Sequence, residues 1–475
     1  MGRPRGRGAR VTAGPLTLAD TRKVTIAGAG MSGLLLSILL ARRGYECEIW
    51  ERHPDPRTTD EPDTAPVILA LGERGRHALR LAGLEQLVSH TVTQMRGRMI
   101  HDRRGRTTLQ PYGVHSWEVL YSIRRERLLR CLLDAAEGTG KVRIHFGQPV
   151  LDVDWRARTL SLEGLCPRPF EVLVGADGAR SAVRRSMLRV TDLEVDEALL
   201  DAGWKRFTVP RSADGVPPLD TGVLHVWPRG GYMMIAMPDI DGSFPAMLFL
   251  PRNGDHGMPW GFAELDSWVR QQAFMEFNFP DAAPLIPELE REFRDNPVGL
   301  MGTIRCSRWF VDGAGEAPGL LLGDAAHTIV PFHGQGVNAA FEDCSALMEI
   351  IAGGAAHWGG AFEQLQNARQ ADANAIADMA LDAYRVMRDS VRHREFMLRK
   401  ALERELERRH PGLFVPRYSL VMFHRIPYTE ACRRGRVQGE ILDELLRGKD
   451  QLADVDLQQA GRLVGERLTP VPSVA

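Results

Sequence analysis

The chain has 475 residues, of which 44% are hydrophobic and 25% are charged, and its formal net charge at pH 7 is -1. This composition is typical of a globular protein with two or three packed units, and the small net charge argues against a partner such as nucleic acid. The strongly basic segment is residues 1–10, which contains four arginines. We expect residues 1–20 to form a disordered basic tail, with a nucleic-acid contact or a leader as the alternatives.

The cysteines and the hydropathy pattern indicate where the protein is located. Six cysteines are scattered without a C-x-x-C pair or metal-ligand spacing, which favours reduced thiols in a cytoplasmic protein and no bound metal. The longest apolar run, residues 24–41, contains three glycines and lacks the architecture of a signal peptide. The last fifty residues are polar and charged. We therefore expect no membrane anchor.

The chain begins with a pattern typical of a βαβ unit. A buried strand is predicted at residues 23–27, a helix at 31–43, which Gly44 ends, and a second strand at 46–51. This order predicts a parallel sheet with crossover helices.

Further along the chain, the pattern changes twice. Short alternating strands run from 142 to 174, and strands between 201 and 251 predict a separate, mostly antiparallel sheet. After residue 361 nearly the whole chain follows a helical period, up to about residue 463. Three other helices are predicted before that region, at residues 74–82, 125–136 and 337–351.

Gly28, Gly30 and Gly33 form a G-x-G-x-x-G motif between the first strand and the first helix. The first glycine allows the tight turn, the second lets the backbone approach a pyrophosphate, and the third lets the helix pack on the strand. Glu51 closes the second strand about twenty residues later, where a carboxylate can accept from both ribose hydroxyls of an adenosine. The motif predicts a dinucleotide site without separating NAD from FAD, and a glycine turn with a surface glutamate is the alternative.

A second glycine-rich turn, residues 175–181, follows a buried strand and carries Asp177. It resembles the D-G motif of flavoprotein aromatic hydroxylases, which lies near the flavin and is implicated in handling the nicotinamide cofactor. A helix N-cap at Asp177 or Ser181 is compatible with this interpretation.

The most specific segment is residues 323–338. It is similar to the G-D motif of the same flavoproteins, in which an aspartate, here Asp324, accepts from a ribityl hydroxyl. The similarity implies that a Gly-Gln-Gly turn brings backbone N–H groups to the pyrimidine edge of the flavin at the start of a helix, whose dipole adds about 0.3–1 kcal/mol. The implied cofactor contacts are Gly334, Gln335, Gly336, Val337 and Asn338.

These motifs occur in the order found in group A FAD monooxygenases, and a single dinucleotide motif distinguishes the chain from disulfide reductase-type flavoenzymes. Other segments resemble the kynurenine 3-monooxygenase family specifically, and the similarity covers about residues 22–435. The segments are residues 95–101, 224–229, 233–238, 279–286, 321–327, 414–418 and 428–431.

The resemblance implies an α/β fold with three parts. The first is an FAD-binding Rossmann-like domain of the group A flavoprotein hydroxylases, the second a mostly antiparallel β-sheet substrate domain, and the third a helical C-terminal region. The expected boundaries are 21–94, 118–195 and 303–370 for the FAD-binding domain, 95–117 and 196–302 for the substrate domain, and 371–475 for the C-terminal region.

The resemblance also implies which residues bind the substrate. Arg98, Tyr112 and Tyr418 would hold an amino-acid carboxylate, for which a guanidinium fork is suited. Arg125 would contact FAD. Without the resemblance, Arg98 would be interpreted as a surface arginine and the two tyrosines as half-buried packing residues. The residues implied to enclose the aromatic ring against the flavin are Phe249, Pro331, Phe332 and His333.

The chain departs from the family pattern at several pocket positions. Ala383 and Val386 stand where family members carry Asn and Glu, and residues 66–68, Pro-Val-Ile, replace a Ser-x-Asn. A buried polar group without a partner costs about 1–3 kcal/mol, so a less polar pocket is less suited to the polar tail of kynurenine. The expected substrates are therefore L-kynurenine, a ring-substituted kynurenine, or a related anthraniloyl or aryl compound of specialised metabolism.

The implied reaction is aromatic hydroxylation by an FAD-dependent monooxygenase. NADPH or NADH reduces FAD, O2 adds at C4a, and the hydroperoxide transfers OH to a ring carbon next to an amino group. The expected partners are a small aromatic substrate and O2, and the sequence leaves the oligomeric state open. The alternatives are a non-oxygenating FAD reductase and a non-catalytic flavoprotein acting through its helical C-terminus. The Lys-bearing motif of a flavin-dependent halogenase is not found.

Overall fold

The computed structural model of the chain describes residues 16–58, 67–212, 214–255, 258–313, 317–389 and 394–472. The helices are α1 (Met31–Arg42), α2 (Glu73–Leu81), α3 (Glu85–Ser89), α4 (Arg125–Gly138), α5 (Ala182–Met187), α6 (Trp268–Asn278), α7 (Leu289–Asp295), α8 (Gly336–Ala352), α9 (Trp358–Asp389), α10 (Arg394–Arg409), α11 (Arg417–Phe423), α12 (Tyr428–Leu446) and α13 (Leu457–Arg467).

The strands of the described residues form four sheets. The strands are β1 (Lys23–Ala27), β2 (Glu46–Trp50), β3 (Ile68–Leu71), β4 (Thr93–Met95), β5 (Gly97–His101), β6 (Thr107–Pro111), β7 (Leu120–Arg124), β8 (Val142–His145), β9 (Val150–Asp154), β10 (Thr159–Leu162), β11 (Arg168–Pro169), β12 (Val172–Gly175), β13 (Val195–Val209), β14 (Leu224–Pro228), β15 (Met233–Ala236), β16 (Phe244–Pro251), β17 (Gly299–Cys306), β18 (Phe310–Val311), β19 (Gly319–Leu321) and β20 (His327–Thr328).

The first large sheet has the strand order β18-β19-β12-β1-β2-β8. Its strands are parallel except for β18, which pairs antiparallel with β19 at the edge. The βαβ start is therefore confirmed. Helix α1 packs between α4 and α8 and is buried along most of its length. Strands such as β12 are continuous apolar runs because both faces of this sheet are covered.

The second large sheet has the order β20-β17-β13-β16-β15-β14-β5-β6. It is antiparallel except for the β14–β5 pair, which confirms the predicted mostly antiparallel sheet. Successive side chains of a strand point to opposite faces, and both faces are buried here. On β16, Met247 and Phe249 pack toward the C-terminal helices, whereas Leu248 and Leu250 pack toward α6.

The C-terminal region is helical, as the period predicts. Helices α9, α11 and α12 contribute to the core that covers the second sheet, with Ile376, Leu420 and Tyr428 as fully buried members. Helices α10, α12 and α13 share a separate apolar cluster with Leu402 and Ile441. The C-terminal helices therefore close one side of the second sheet.

Several boundaries differ from those expected. Residues 1–15 of the predicted tail and Pro66 lie outside the described residues. Residues 16–20 are structured, because Thr17 forms an isolated bridge with His357, so the disordered tail cannot extend to residue 20. The expected domain boundary at residue 302 falls inside β17, which belongs to the second sheet along its whole length.

None of the helices in the described part of the chain combines the length and the apolar character that a membrane crossing requires.

Candidate active site

The glycines of the G-x-G-x-x-G motif have different structural roles. Gly28 has φ +100°, and a Cβ there would lie 2.4 Å from the carbonyl oxygen of Ala176. A Cβ on Gly33 would lie 2.2 Å from the carbonyl oxygen of Gly28. A Cβ on Gly30 would lie 3.9 Å from the carbonyl oxygen of Ala176, which is ordinary van der Waals contact. The fold itself therefore requires Gly28 and Gly33, whereas Gly30 leaves a space open above the backbone for a ligand.

Glu51 lies next to this turn and supports it. One carboxylate oxygen accepts from the backbone N–H of Ala29 at 2.7 Å, and the other accepts from the N–H of His53 at 2.8 Å. A carboxylate oxygen has two lone pairs, so both oxygens keep accepting capacity. Glu51 is thus held at the end of β2 in a position compatible with ribose recognition.

Asp177 is held by backbone groups. Its Oδ2 accepts from the N–H groups of Ala182 and Val183 at 2.7 and 3.2 Å, while Ser181 caps α5 by accepting from Arg184. Burial raises the pKa of the Asp177 carboxyl. The cavity wall at this turn is formed by its neighbours Ala176 and Gly178. The prediction of a helix N-cap at this turn is therefore correct. The other carboxyl oxygen of Asp177, Oδ1, is buried and has no hydrogen-bond partner among the described residues.

Asp324 and Arg125 line the same cavity from two elements. Asp324 follows β19 in a short 3-10 turn, and its side chain is exposed to the cavity. The surrounding protein desolvates the Asp324 carboxyl and raises its pKa, while His327 and Arg125 act in the opposite direction. Arg125 is the first residue of α4. A carboxyl group and a cation therefore face the space where a dinucleotide would lie.

The loop that precedes α8 presents its backbone to the cavity. Gly334 has φ +63°, in the left-handed region, and Gly336 and Val337 also line the cavity. The side chain of Gln335 turns away and accepts from the Tyr428 hydroxyl at 2.6 Å. Asn338 accepts from a backbone N–H at 2.9 Å and donates to two carbonyls at 2.7 and 2.8 Å. Gln335 and Asn338 thus hold the loop rather than face the cavity.

Arg98, Tyr112 and Tyr418 meet at the far end of the cavity. The Arg98 guanidinium carbon lies 4.7 Å from the centre of the Tyr418 ring and 5.8 Å from that of Tyr112. Burial raises the pKa of both phenols, which therefore remain neutral donors. Within the described residues, Arg98 Nε and Tyr112 Oη are buried without a hydrogen-bond partner. Polar groups of this kind are expected to have a partner, and a carboxylate would supply one.

Aromatic side chains form the wall next to this group. The rings of Phe249 and Phe332 contact edge to face with centroids 4.8 Å apart, and Phe332 stacks on Tyr384 at 4.3 Å. His333 stacks on Tyr418 at 5.6 Å. Burial, with Arg417 and Arg98 nearby, lowers the pKa of His333 to about 3, so its imidazole is neutral.

A single cavity of about 420 Å³ joins these parts. It runs from the glycine turn to the Arg98 group, and its lining is mostly apolar. The named site residues that line it are Gly30, Arg98, Tyr112, Arg125, Phe249, Asp324, Pro331, Phe332, His333, Gly334, Gly336, Val337 and Tyr418. The sequence did not identify the lining residues Leu224 and Met387. Met247 lies in the Met- and Phe-rich segment 233–250, whose sequence is compatible with water exclusion and with core packing alike, and alternation on β16 places it on the same face as Phe249.

An adjoining chamber of about 370 Å³ lies behind the Arg98 group and shares its members. Ala383 and Val386, the positions expected from the sequence to depart from the family pattern, line this chamber. Ile68 instead lines the cavity described above. The chamber also contains several cationic side chains, namely Arg399, Lys400, Arg404 and Arg417.

Comparison with known proteins places this geometry in a family. A family model described as an FAD binding domain matches residues 21–236 and 310–383. A kynurenine 3-monooxygenase of Myxococcus xanthus is 42% identical over 95% of this chain and 97% of its own length. One from Xanthomonas campestris pv. campestris is 44% identical over 95% of this chain and 98% of its own length. The chain belongs to the kynurenine 3-monooxygenase family. The predictions of FAD as the cofactor and of a monooxygenase are thereby confirmed.

Solved structures give the same fold at lower identity. The tetrameric form of 2-methyl-3-hydroxypyridine-5-carboxylic acid oxygenase has a TM-score of 0.63 at 19% identity, covering 82% of this chain and 98% of that one. PqsL of P. aeruginosa in complex with 2-aminobenzoylacetate has a TM-score of 0.59 at 20% identity, covering 77% of this chain and 98% of that one. The fold class expected from the sequence is confirmed.

Proposed function

We propose that this enzyme uses FAD and NADPH to hydroxylate the ring of L-kynurenine or of a ring-substituted kynurenine at carbon 3. The observation that carries the proposal is the continuous cavity between the glycine turn and the group formed by Arg98, Tyr112 and Tyr418. A ligand there has an apolar wall for a ring and a cation with two phenols for a carboxylate. An aminobenzoyl amino acid has these two features.

The residues present fit FAD. Gly30 leaves space for a pyrophosphate, Glu51 retains accepting capacity for a ribose, and Asp324 extends into the cavity where a ribityl chain would pass. The backbone of Gly334 and Gly336 would face the flavin ring at the start of α8, where N–H donors stabilise negative charge. When bound, FAD supplies the electron transfer from NADPH and the activation of O2.

The protein's own part is to position and enclose the substrate. Arg98 would bind the substrate carboxylate through its fork, and the neutral Tyr112 and Tyr418 would donate to the same oxygens. Phe249 and Phe332 would hold the aromatic ring. His333 Nδ1, which is buried without a hydrogen-bond partner among the described residues, is available for the carbonyl or amino group of the substrate. A ring amino group directs attack to its ortho carbon, so no strong protein base is needed.

Exclusion of water is the second task of the cavity, because water diverts the activated oxygen to H2O2. Most side chains that line the cavity near Phe249 are apolar, including Leu224, Ile235 and Met247. Met247 lies on the same face of β16 as Phe249. This apolar lining supports a cavity from which water is excluded during the reaction.

An anthraniloyl compound that lacks an ammonium group is the second candidate substrate. The chamber behind Arg98 has the apolar residues Ala383 and Val386. An α-ammonium group placed next to these two side chains would lose hydrogen bonds to water and gain no acceptor from them, and the carboxylates of this chamber, Glu403 and Glu407, lie among the cationic side chains. PqsL, which has a related fold, was solved in complex with 2-aminobenzoylacetate, an anthraniloyl compound without an ammonium group.

We further propose a cytoplasmic location and no nucleic-acid partner. All six cysteines are free thiols, which supports a reducing compartment.

The deciding experiment is NADPH oxidation and O2 uptake by the purified yellow protein with a panel of substrates. The panel contains L-kynurenine, ring-methylated and ring-halogenated kynurenines, 2-aminobenzoylacetate and anthranilate, with NADH compared against NADPH. The expected result is stimulated oxidation with a product heavier by one oxygen, hydroxylated at carbon 3. The proposal fails if no kynurenine stimulates oxidation. A response to 2-aminobenzoylacetate alone would favour the second candidate.

A further inference from the structure

Three potential metal ligands meet at another cavity, of about 770 Å³, away from the glycine turn. His115 and Glu118 lie on the loop that follows Tyr112, and Glu407 lies on α10. One ligand atom from each lies within 4.8 Å of those of the other two. The cluster thus joins the loop next to the carboxylate-binding group to the C-terminal region.

The two glutamates are buried without sufficient partners. Glu118 and Glu407 are each 2% exposed. One Glu118 oxygen accepts from the backbone N–H of His115 at 2.9 Å, while its other oxygen and Glu407 Oε2 have no hydrogen-bond partner among the described residues. Gly113 leaves the space for this carboxylate, since a Cβ there would lie 2.0 Å from Glu118 Oε2. Buried oxygens of this kind require a ligand, a proton or a cation.

The cations nearby are already engaged elsewhere. Lys400, which acts on Glu407, forms an ion pair with Glu403. Arg425, which lines the same cavity, contacts Glu349 and His77. Two adjacent buried carboxylates cannot both be ionised without a compensating positive charge. In agreement, burial and then the charge of Glu118 raise the pKa of Glu407 to about 8.

We propose that His115, Glu118 and Glu407 bind a divalent cation of the zinc type. One imidazole nitrogen with two carboxylate oxygens is a ligand set that suits Zn²⁺ and similar transition metals, whereas Mg²⁺ and Ca²⁺ prefer oxygen alone. Zinc–ligand distances of about 2.0–2.2 Å require the three groups to move closer together. His115 can make most of this movement, because its ring is exposed and the protein around it does not confine it.

The cation would have a structural role. It would tie the loop after Tyr112 to α10 and replace the repulsion between the two carboxylates with attraction to a common ion. A ligand that binds the folded state alone raises the free energy of unfolding with the logarithm of its concentration once that exceeds Kd. None of the three ligands lines the cavity between the glycine turn and the Arg98 group, although Glu407 also borders the adjoining chamber behind Arg98.

The experiment uses the full chain with FAD bound, treated with EDTA and then desalted. Zinc binding is measured by calorimetry, and Co²⁺ serves as a spectroscopic probe above 500 nm, where oxidised flavin absorbs little. We expect one Zn²⁺ per chain, a melting temperature that rises with Zn²⁺, and no comparable effect of Mg²⁺. The variants His115→Ala and Glu407→Gln should weaken zinc binding at least about tenfold, while the flavin spectrum stays unchanged.

His90→Ala is the matched control, because His90 is another exposed histidine and is not in the cluster. It should bind Zn²⁺ as the unaltered protein does. The proposal is overturned if the protein binds no zinc, or if His115→Ala and Glu407→Gln bind it as tightly as His90→Ala does. Absence of zinc binding, with a carboxyl that titrates near pH 8 and is lost in Glu407→Gln, would show that the two glutamates share a proton instead.

Discussion

The two ends of the cavity that we propose as the active site, the flavin end and the substrate end, are built in different ways. At the flavin end, the surface consists largely of backbone at Gly30, Gly334 and Gly336, held in place by buried side chains. At the substrate end, it consists of side chains that converge from different elements, such as Arg98 on β5 and Tyr418 on α11. A backbone surface tolerates few substitutions, whereas a side-chain surface can change its specificity while the fold is preserved.

This difference predicts which positions can be exchanged. A Cβ at Gly28 or Gly33 would collide with backbone atoms, so the glycine turns do not tolerate other residues. Ala383 and Val386 line an open chamber, where an exchange of side chains meets no such obstacle. Substitutions at one end should therefore leave the other end unchanged.

The largest effect is expected for Gly30→Val. The space above Gly30 is open to a Cβ, so the protein should fold, but the side chain would occupy the place of the pyrophosphate. We expect the FAD dissociation constant to rise more than about 100-fold, which corresponds to roughly 2.7 kcal/mol, measured by flavin fluorescence titration. Gly28→Val is the contrasting variant and should fail to fold. If Gly30→Val binds FAD normally, the flavin end is assigned wrongly.

Arg98→Met tests the substrate end. The variant keeps the volume of the side chain and removes the charge, and a hydrogen bond to a charged group contributes about 1.5–3 kcal/mol. We expect KM for the substrate to rise about 10- to 100-fold, with the flavin spectrum and FAD affinity unchanged. Arg96→Met is the control, because Arg96 is exposed and pairs with Asp220 at the surface. Equal KM values for the two variants would remove Arg98 from the site.

Much of the fold could be predicted because its signals are local. The βαβ start, the glycine turns and the helical C-terminus follow from periodicity and from glycines in the sequence. The helices at residues 125–138 and 336–352 begin within one residue of their expected starts. The boundary at 302 could not be placed, since the pairing of β17 with β13 depends on residues about a hundred positions apart in the chain.

The site was predictable to different degrees for the same reason. The resemblance supplied Arg98, Tyr112 and Tyr418, but their convergence depends on tertiary packing that no single segment encodes. The sequence also gave no means of separating Gly334, whose backbone lines the cavity, from Gln335, whose side chain is buried against Tyr428. Only the packing of α12 against that loop distinguishes them.

The double variant Ala383→Asn with Val386→Glu tests whether these positions select the substrate. It introduces into the chamber behind Arg98 the two polar residue types that the resemblance implies for these positions. We expect the ratio of kcat/KM for L-kynurenine to that for 2-aminobenzoylacetate to rise about tenfold, which equals roughly 1.4 kcal/mol. Ala375→Asn is the control on the same helix. An unchanged ratio would show that the two positions do not contact the substrate tail.

Tyr428→Phe tests whether a side chain outside the cavity supports the backbone surface. The change leaves the buried Gln335 oxygen without its hydroxyl donor, which costs about 1–3 kcal/mol of unfolding free energy. We expect a lower midpoint in urea and a several-fold weaker FAD affinity, with KM for the substrate nearly unchanged. A change in KM without a change in FAD affinity would place the influence of Tyr428 at the substrate end instead.

The smallest effect is expected for the dependence of kcat/KM on pH, which tests whether any group near Arg98 changes its charge. Because the pKa of His333 is lowered to about 3 and those of Tyr112 and Tyr418 are raised, none of the three changes charge between pH 6 and 9. The dependence of kcat/KM on pH in that range should therefore be the same in His333→Gln as in the unaltered enzyme.

Stability behaves differently, because unfolding restores an ordinary histidine that binds a proton as the pH falls below about 6.5. The neutral buried His333 thus destabilises the folded state progressively from pH 6.5 toward 3, and His333→Gln should lose less stability over that interval, as measured by urea denaturation. A limb in the kcat/KM profile near pH 6.5 that disappears in His333→Gln would instead make His333 a titrating group of the reaction and leave Arg98 as only one of two charges at this end.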